Sequence, residues 1–351
     1  MTRHCALIPG VTGVVGRGLA RYLSAQKDWE VIGLARRRPH EHTNYPVLAV
    51  DLADAAACRA LHGEFGNVTH VLYCARAHHT AAVKEPIDLN VAMLRNVIDA
   101  VEVAAHGFTH VHLVQGSKYY GSDLGPYKTP ARESDPRISD NNWYYAQEDF
   151  INERSRGKAW HWSASRPHAI CDGDPGIARS IPKVIAVYAA IAKELGQPLY
   201  FPGSAANFQA LYQCVDATLL AQAIQWMSTA PACANQAFNV TNGDFIRWEN
   251  LWPQFADFFG MPVGPVKTVR LAEAMADKSP VWERLVTECR LIPTPYAQTA
   301  LWSYGDFVFT PAYDIMSDTL KLRQSGFAHC LDTGKMFIDL FRHYREARVI
   351  P

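Results

Sequence analysis

Two adjacent tyrosines, Tyr144 and Tyr145, open a stretch with helical spacing that Asn142 is suited to cap. A tyrosine hydroxyl titrates near pH 10, so at neutral pH it is a hydrogen-bond donor and a poor base. A nearby ammonium lowers the pKa of the phenol and stabilises negative charge on its oxygen. One helical turn after the pair stand Glu148 and Asp149, so this cation must come from another part of the chain.

Lys118 is the candidate cation, because it follows a predicted strand at Thr109 to Val114. The sequence thus predicts that Tyr145 and Lys118 form the catalytic pair, whereas Tyr144 is expected to be a core aromatic. For Tyr145 and Lys118 the alternatives are a structural aromatic and a surface cation. Ser117 either contributes a hydroxyl to the site or caps a turn.

A glycine-rich turn follows the first apolar run of the chain. Its glycines suit a tight turn, a close approach of backbone to a pyrophosphate, and close packing of the next helix, whose N-terminus offers free N–H groups to an anion. The alternative is a simple strand-to-helix turn. The residues predicted to bind a dinucleotide here are Gly10, Thr12, Gly13, Val14 and Gly16.

The next predicted strand ends in arginines, without an acidic residue. Arg36 and Arg37 suit the 2′-phosphate of NADP, whereas an acid would bind the ribose hydroxyl of NAD. We therefore expect NADP(H), and the alternative is a solvated basic strand end. Asp51 and Leu52 follow the third predicted strand, where contacts with adenine are expected; Asp51 could also cap a helix that begins near Ala53.

Short apolar runs alternate with amphipathic stretches through the first 165 residues. This alternation predicts strand–helix–strand units and a Rossmann-type, doubly wound parallel α/β sheet, with ligands at the carboxyl ends of the strands. Residues 1–165 are expected to form the nucleotide-binding domain. Residues 166–351 are expected to form mainly a smaller, mostly helical substrate-binding cap, with some segments that return to the sheet.

Bulk composition excludes several classes of function. The 34 Lys and Arg residues balance the 34 Asp and Glu residues, so no net field attracts nucleic acid or an anionic membrane. No apolar run is long enough to span a bilayer. The eight cysteines form no CxxC pair, which indicates reduced thiols, no metal site and a cytoplasmic protein.

Several segments together resemble the progesterone 5β-reductase/iridoid synthase-like family, an atypical branch of the extended short-chain dehydrogenases/reductases. The loop at 10–16 matches its GVTGxxG motif, and residues 31–37 match its VxGxARR strand end. Residues 68–73, 93–97 and 142–149 match its VTHVFY, MLxNV and NFYYxxED segments. The resemblance covers nearly the whole chain and implies that Tyr145 and Lys118 are catalytic.

The resemblance also implies roles around the nicotinamide and the substrate. An RPxxI element at 166–170 places Pro167 and Ile170 beside the nicotinamide, and Ala75 is expected to contact the cofactor. The family's VTW segment reads Cys74-Ala75-Arg76 here, so a cation replaces an aromatic wall. Arg76 either binds a carboxylate or polar tail of the substrate or pairs with a neighbouring acid, and Tyr127 is a second candidate for substrate contact.

These observations lead to the hypothesis of NADPH-dependent 1,4-reduction of an enone or enal. One alternative is carbonyl reduction or nucleotide-sugar epimerisation, which the missing YxxxK lysine argues against. Another is an NADP-sensing module without catalysis. A small-molecule substrate is expected, and a homodimer is possible because related folds pair through the helix that carries the tyrosine.

Overall fold

The computed structural model describes residues 4–39, 42–77, 85–139 and 141–351. Within these ranges, none of the helices combines the length and the apolar character needed to cross a membrane. The first half of the chain alternates strands and helices: β1 His4–Pro9, α1 Val14–Ser24, β2 Trp29–Ala35, β3 Val47–Ala49, α2 Ala55–Ala60, β4 His70–Tyr73, α3 Ile87–Ala104, β5 His110–Val114, α4 Trp143–Arg154 and β6 His161–Pro167.

The central sheet has seven strands, in the order β11-β6-β5-β4-β1-β2-β3, where β11 spans Gln236–Val240. Every strand pair in it is parallel. Ala6, Leu7 and Ile8 of β1 are fully buried because helices cover both faces of the sheet. The predicted doubly wound parallel fold is confirmed, and the strand order reverses between β1 and β4, where such folds bind their ligands.

The second half of the chain contributes short strands and most of the remaining helices. They are β7 Ile170–Cys171, α5 Ile181–Glu194, β8 Leu199–Phe201, α6 Ala205–Gln209, β9 Leu211–Tyr212, β10 Val215–Asp216, α7 Ala217–Thr229, β11, β12 Ile246–Arg247, α8 Trp248–Phe259, β13 Val263–Val266, α9 Leu271–Ala274, α10 Ser279–Glu288, α11 Tyr296–Thr299, α12 Trp302–Phe309, α13 Leu320–Gln324 and α14 Thr333–Glu346.

Two hydrophobic clusters on opposite faces hold the sheet, and a third holds the C-terminal half. In this third cluster α5 is buried along nearly its whole length against α8, α12 and α14. Trp248, Trp252 and Phe337 are fully buried there. This packing fixes the helical layer that lies over the ligand end of the sheet.

The C-terminal half also returns to the sheet. Helix α7 packs against α1, and β11 is an edge strand beside β6. The division expected at residue 165 falls inside β6, which continues to Pro167. The split into 1–165 and 166–351 therefore stays a prediction, with the returning segments identified as α7 and β11.

Candidate functional site

A cavity of about 650 Å³ lies at the carboxyl ends of the central strands, at the reversal of strand order. Residues from both halves of the chain line it. Most of the residues that the sequence predicted for the site lie in this lining: Gly10, Thr12, Gly13, Val14, Arg36, Asp51, Leu52, Ala75, Arg76, Lys118, Pro167 and Ile170. Gly16, Arg37, Tyr127 and Tyr145 do not.

The turn between β1 and α1 depends on two of its glycines. Gly10 has a φ of +81°, and a Cβ there would lie 2.7 Å from the Cα of Ala75 at the end of β4. A Cβ on Gly16 would collide with the carbonyl oxygen of Gly10, so the absence of a side chain at Gly16 lets α1 pack closely against the turn. Helix α1 has no side-chain cap and no acid in its first turn. Its free N–H groups therefore suit a phosphate.

The ends of β2 and β3 supply the next part of the lining. Arg36 lies in the cavity wall, whereas Arg37 is exposed outside it. In the described ranges neither guanidinium has an acid within ion-pair distance. Asp51 lies in the wall, and its carboxylate accepts a hydrogen bond from the Ala53 N–H. The suggestion that Asp51 caps α2 is wrong, because the cap is Asp54.

The prediction that the second tyrosine faces the ligand is wrong. The Tyr145 hydroxyl donates to the Tyr119 carbonyl oxygen at 2.5 Å and accepts from the Ile138 N–H at 3.4 Å. Its ring packs edge-on against Tyr119 beneath the Arg137 guanidinium. Tyr145 is thus a satisfied structural residue that holds the segment before α4.

Tyr144 is the tyrosine that lines the cavity. Its hydroxyl lies over Gly116 and Pro167, since a Cβ built on Gly116 would be 3.2 Å from it and 3.4 Å from the Pro167 carbonyl oxygen. Among the described residues this hydroxyl has no hydrogen-bond partner. Asn142 caps α4 by accepting from the Tyr144 N–H and donates to the Lys118 carbonyl oxygen, which ties the helix start to the loop after β5.

Burial raises the pKa of Tyr144 to about 12, while the positive charge of Arg76 acts in the opposite direction. Glu85 and Asp123 raise this pKa further, and Arg179 lowers it. The phenol therefore keeps its proton at neutral pH. It is placed to donate a hydrogen bond into the cavity and not to act there as a base.

The carboxylate of Glu148, one turn after Tyr144, bonds with residues of the protein interior. Its carboxylate binds the buried Arg166 guanidinium at 3.0 Å, the Gln115 amide at 2.9 Å and the Tyr119 hydroxyl at 3.0 Å. A lysine at this position is the usual partner of a tyrosine that must ionise. Here the same helical position stabilises the packing of α4 on the sheet instead.

Lys118 lines the cavity, and its ammonium is paired. Its Nζ lies 3.1 Å from Glu85 and 3.5 Å from Asp123. Arg76 lies 3.9 Å from the same Glu85 oxygen, which is longer than a hydrogen bond. The described charges that act on the Tyr144 hydroxyl are two carboxylates and two arginines, and Lys118 pairs with both carboxylates.

A buried hydroxyl–imidazole chain borders the same space. The Ser117 Oγ lies 2.7 Å from the His168 Nδ1 and 2.9 Å from the Ser122 Oγ, and both Ser117 and His168 line the cavity. Burial lowers the pKa of His168 to about 4, so its imidazole is neutral. Its Nε2 is buried without a partner. Ser117 therefore orients His168, a role that goes beyond capping a turn.

Tyr127 lies outside the cavity lining. Its hydroxyl accepts from the Met316 N–H at 3.1 Å, and its ring packs between the cap core and the aromatic group around Tyr119. The expectation of substrate contact is not met, because this tyrosine links the β5–α4 loop to the C-terminal segment.

Three residues of the lining with side chains able to do chemistry were not predicted as site residues from the sequence: Tyr144, His168 and Arg179. For Tyr144 a signal was present, since the fully buried Ile151 stands seven residues later, on the stripe that faces the sheet. For His168 and Arg179 no local pattern distinguishes them from loop residues.

In the described ranges, no group of three or more His, Cys, Asp or Glu side chains could hold a metal ion.

Solved structures confirm the fold. A putative epimerase from Burkholderia cenocepacia superposes with a TM-score of 0.70 at 17% identity, over 99% of both chains. A UDP-glucose 4-epimerase from Thermus thermophilus, solved in complex with NAD, superposes with a TM-score of 0.66 at 15% identity over 98% of this chain and 99% of that one. At these identities the likeness concerns the fold alone.

Sequence comparisons are more specific. An (S)-8-oxocitronellyl enol synthase from Nepeta cataria is 31% identical over 99% of this chain and 91% of its own length. A 3-oxo-Δ(4,5)-steroid 5β-reductase from Arabidopsis thaliana is 32% identical over 99% of this chain and 93% of its own length. The family model described as a PRISE-like Rossmann-fold domain matches residues 53–351, and the chain belongs to this family.

Proposed function

We propose that the protein is an NADPH-dependent reductase that adds hydride to the β-carbon of an α,β-unsaturated carbonyl compound. The observation that carries this proposal is the unpartnered, protonated Tyr144 hydroxyl in the cavity beside Gly116 and Pro167. The names of the relatives, an enol synthase and a steroid 5β-reductase, support the same chemistry.

The cavity residues fit a dinucleotide. Gly10 leaves no room for a side chain where β1 and β4 end, and the N-terminus of α1 offers free N–H groups for the pyrophosphate. Arg36 faces the cavity without an acidic partner in the described ranges, which favours a 2′-phosphate and therefore NADP(H) over NAD(H). When bound, NADPH supplies the hydride.

The protein's contribution is polarisation and orientation. Reduction at the β-carbon moves an electron pair onto the carbonyl oxygen, and an enolate forms there. Tyr144 donates its hydrogen bond to that oxygen, and the positive charge of Arg76, which acts on the Tyr144 hydroxyl, favours the developing negative charge. Such a donor acts mainly on the transition state, where the charge develops. The α-carbon then takes a proton from water.

Lys118 has a positioning role in this proposal. Its ammonium holds Glu85 and Asp123, the two carboxylates that raise the pKa of Tyr144. With the lysine in place these acids are partly neutralised, so the Tyr144 hydroxyl meets a less negative field. We therefore assign the direct electrostatic role to Arg76 and the supporting role to Lys118.

The two alternatives are disfavoured by the same geometry. Carbonyl–alcohol interconversion and sugar epimerisation need a tyrosine that ionises easily, whereas burial raises the pKa of Tyr144 to about 12 and Glu148 stands where the usual lysine would be. A sensing module without catalysis has no use for a protonated phenol whose hydroxyl faces the cavity without a partner among the described residues.

NADPH oxidation with paired probes tests the proposal. A cyclic enone and its saturated ketone are each incubated with the protein, and the product of the enone reaction is identified. We expect turnover of the enone to the saturated ketone. Turnover of the ketone alone, or tight NADPH binding without turnover of any enone, would contradict the proposed function.

A further inference from the structure

Two arginines face the reacting end of the cavity without a carboxylate at hydrogen-bond distance. Arg76 follows β4, and its nearest described acid, Glu85, is 3.9 Å away and also binds Lys118 at 3.1 Å. Arg179 precedes α5 and has neither a hydrogen bond nor an ion pair within the described part of the chain. Each guanidinium therefore has unused donors in the cavity wall.

The two guanidinium groups are close enough to affect each other and Tyr144. The positive charge of Arg179 lowers the pKa of Arg76, although burial has the larger effect. Both arginines act on the Tyr144 hydroxyl. They therefore lie at the same end of the cavity as this hydroxyl, around the proposed site of hydride addition.

Arg179 is also fixed in place by the cap. Its guanidinium lies over the Tyr304 ring at 4.4 Å, and the Ala178 carbonyl oxygen accepts from the Leu301 N–H. A stacked guanidinium keeps its edge N–H groups free for a planar anion. The exposed Arg179 side chain is thus held against the Tyr304 ring of α12 at the edge of the cavity.

This end of the cavity has an ionic part and a part with apolar or aromatic side chains. The described ionic groups are three cations, Arg76, Arg179 and Lys118, against two carboxylates, Glu85 and Asp123. One positive charge is left over. Beside the polar Ser117 and His168, the wall has apolar or aromatic residues: Tyr212, Leu301, Tyr304 and Phe307.

We propose that the substrate is an amphipathic enone or enal that carries a carboxylate, with the carboxylate bound by the guanidinium groups of Arg76 and Arg179. This inference rests on the proposed function. The carbonyl oxygen meets Tyr144, and the apolar body lies against the aromatic wall. The carboxylate supplies a negative charge to Arg179 and to Arg76, whose neighbouring acid Glu85 lies closer to Lys118. A guanidinium pair matches the two oxygens of a carboxylate.

The test compares cyclohex-2-enones that bear carboxyalkyl tails of increasing length with their methyl esters. For the best tail length we expect kcat/KM for the acid to exceed that for the ester by about 10- to 100-fold. This is the gain that one or two charge-assisted hydrogen bonds to the carboxylate provide. Arg179→Gln should lower this acid-to-ester ratio by about tenfold, and Arg179→Lys by less. Arg270→Gln, an exposed arginine of the cap, is the matched control and should leave the ratio unchanged.

The outcomes separate this inference from the proposed function. Equal turnover of acids and esters would overturn the carboxylate assignment while enone reduction stands. An Arg179→Gln variant with a higher KM for NADPH and an unchanged acid-to-ester ratio would also overturn it, because Arg179 would then bind a cofactor phosphate. Turnover of neither series by the wild-type protein would contradict enone reduction itself.

Discussion

The two adjacent tyrosines of α4 differ in the hydrogen bonds that their hydroxyl groups make. The Tyr145 hydroxyl has both a donor and an acceptor partner, and the Tyr144 hydroxyl has none among the described residues. A hydroxyl that lines the cavity without a protein partner is free to bond with a ligand there. The sequence motif places both tyrosines at the site, and only the helical phase of α4 distinguishes them.

Gly116 makes room for the catalytic hydroxyl. A Cβ there would lie 3.2 Å from the Tyr144 oxygen, so the phenol would have to move by a few tenths of an ångström. We expect Gly116→Ala to lower kcat for enone reduction by about tenfold, because a misplaced donor stabilises the transition state less well. Gly66→Ala, where a Cβ meets nothing within 4 Å, is the control. Equal kcat in the two variants would argue against the assigned position of the hydroxyl.

Arg36 should decide between the two coenzymes. Arg36→Gln is expected to raise the KM for NADPH by about 10- to 100-fold and to leave the KM for NADH nearly unchanged, since only NADPH offers a 2′-phosphate to the guanidinium. Arg38→Gln, an exposed arginine outside the cavity lining, is the matched control. Similar losses with both coenzymes would contradict the assignment of Arg36 to the 2′-phosphate.

At the scale of elements, the start of α4 is held by one side chain that acts in two directions. Asn142 accepts from the Tyr144 N–H at 2.9 Å and donates to the Lys118 carbonyl oxygen at 3.0 Å. It thereby sets the distance between the tyrosine and the loop that follows β5. The arrangement of the site depends on this link as much as on the side chains themselves.

Replacing Asn142 separates the two bonds. Asn142→Ala should lower the free energy of unfolding by about 1 kcal/mol through loss of the cap and should also reduce kcat. Asn142→Asp keeps the cap, but a carboxylate oxygen then faces the Lys118 carbonyl oxygen in place of the amide donor, so stability should recover only in part while kcat stays reduced. Urea unfolding and steady-state kinetics on the same samples measure both effects. Full activity in Asn142→Asp would show that the link to Lys118 is dispensable.

The strands were the most predictable elements. Each strand of the central sheet agrees within two residues with an apolar run in the sequence, because parallel strands buried on both faces leave that signature. The glycine spacing likewise predicted the turn between β1 and α1. The cap could not be predicted from the sequence, because its short strands and loops bring Arg179 and His168 to Tyr144 through contacts between distant segments. The side that each tyrosine of α4 presents was also misjudged. The spacing from Tyr144 to the buried Ile151 was a local signal, but the bonds of the Tyr145 hydroxyl to backbone groups could not be predicted from it.

At the scale of the whole molecule, buried histidines couple stability to pH. His70, His110, His112 and His168 are buried, and burial lowers the pKa of His70 and His168 to about 4 and that of His112 to about 3. Burial also lowers the pKa of His110. Because an unfolded histidine titrates near 6.5, the unfolded chain takes up protons that the native protein does not as the pH falls below about 7.

The free energy of unfolding should therefore fall as the pH is lowered from about 7.5 to about 5.5. Each buried histidine contributes a slope of up to about 1.4 kcal/mol per pH unit once the pH is below its unfolded pKa. Glu133 and Asp172 have raised pKa values from burial and give the opposite slope at lower pH, so the measurement stays above about pH 5.5. Urea midpoints that do not change across this range would contradict the buried, neutral state of these histidines.

The packing of the molecule places one phenol at the meeting point of the sheet, α4 and the cap, and the central claim concerns that phenol. The most direct measurement is the single-turnover rate of enone reduction by NADPH-loaded Tyr144→Phe and Tyr145→Phe. We expect Tyr144→Phe to lose about 100- to 1000-fold with NADPH affinity unchanged, as for removal of an oxyanion donor. Tyr145→Phe should keep the rate within a few-fold and lose about 1 kcal/mol of stability with its hydrogen bonds. A large rate loss in Tyr145→Phe together with an active Tyr144→Phe would contradict the account.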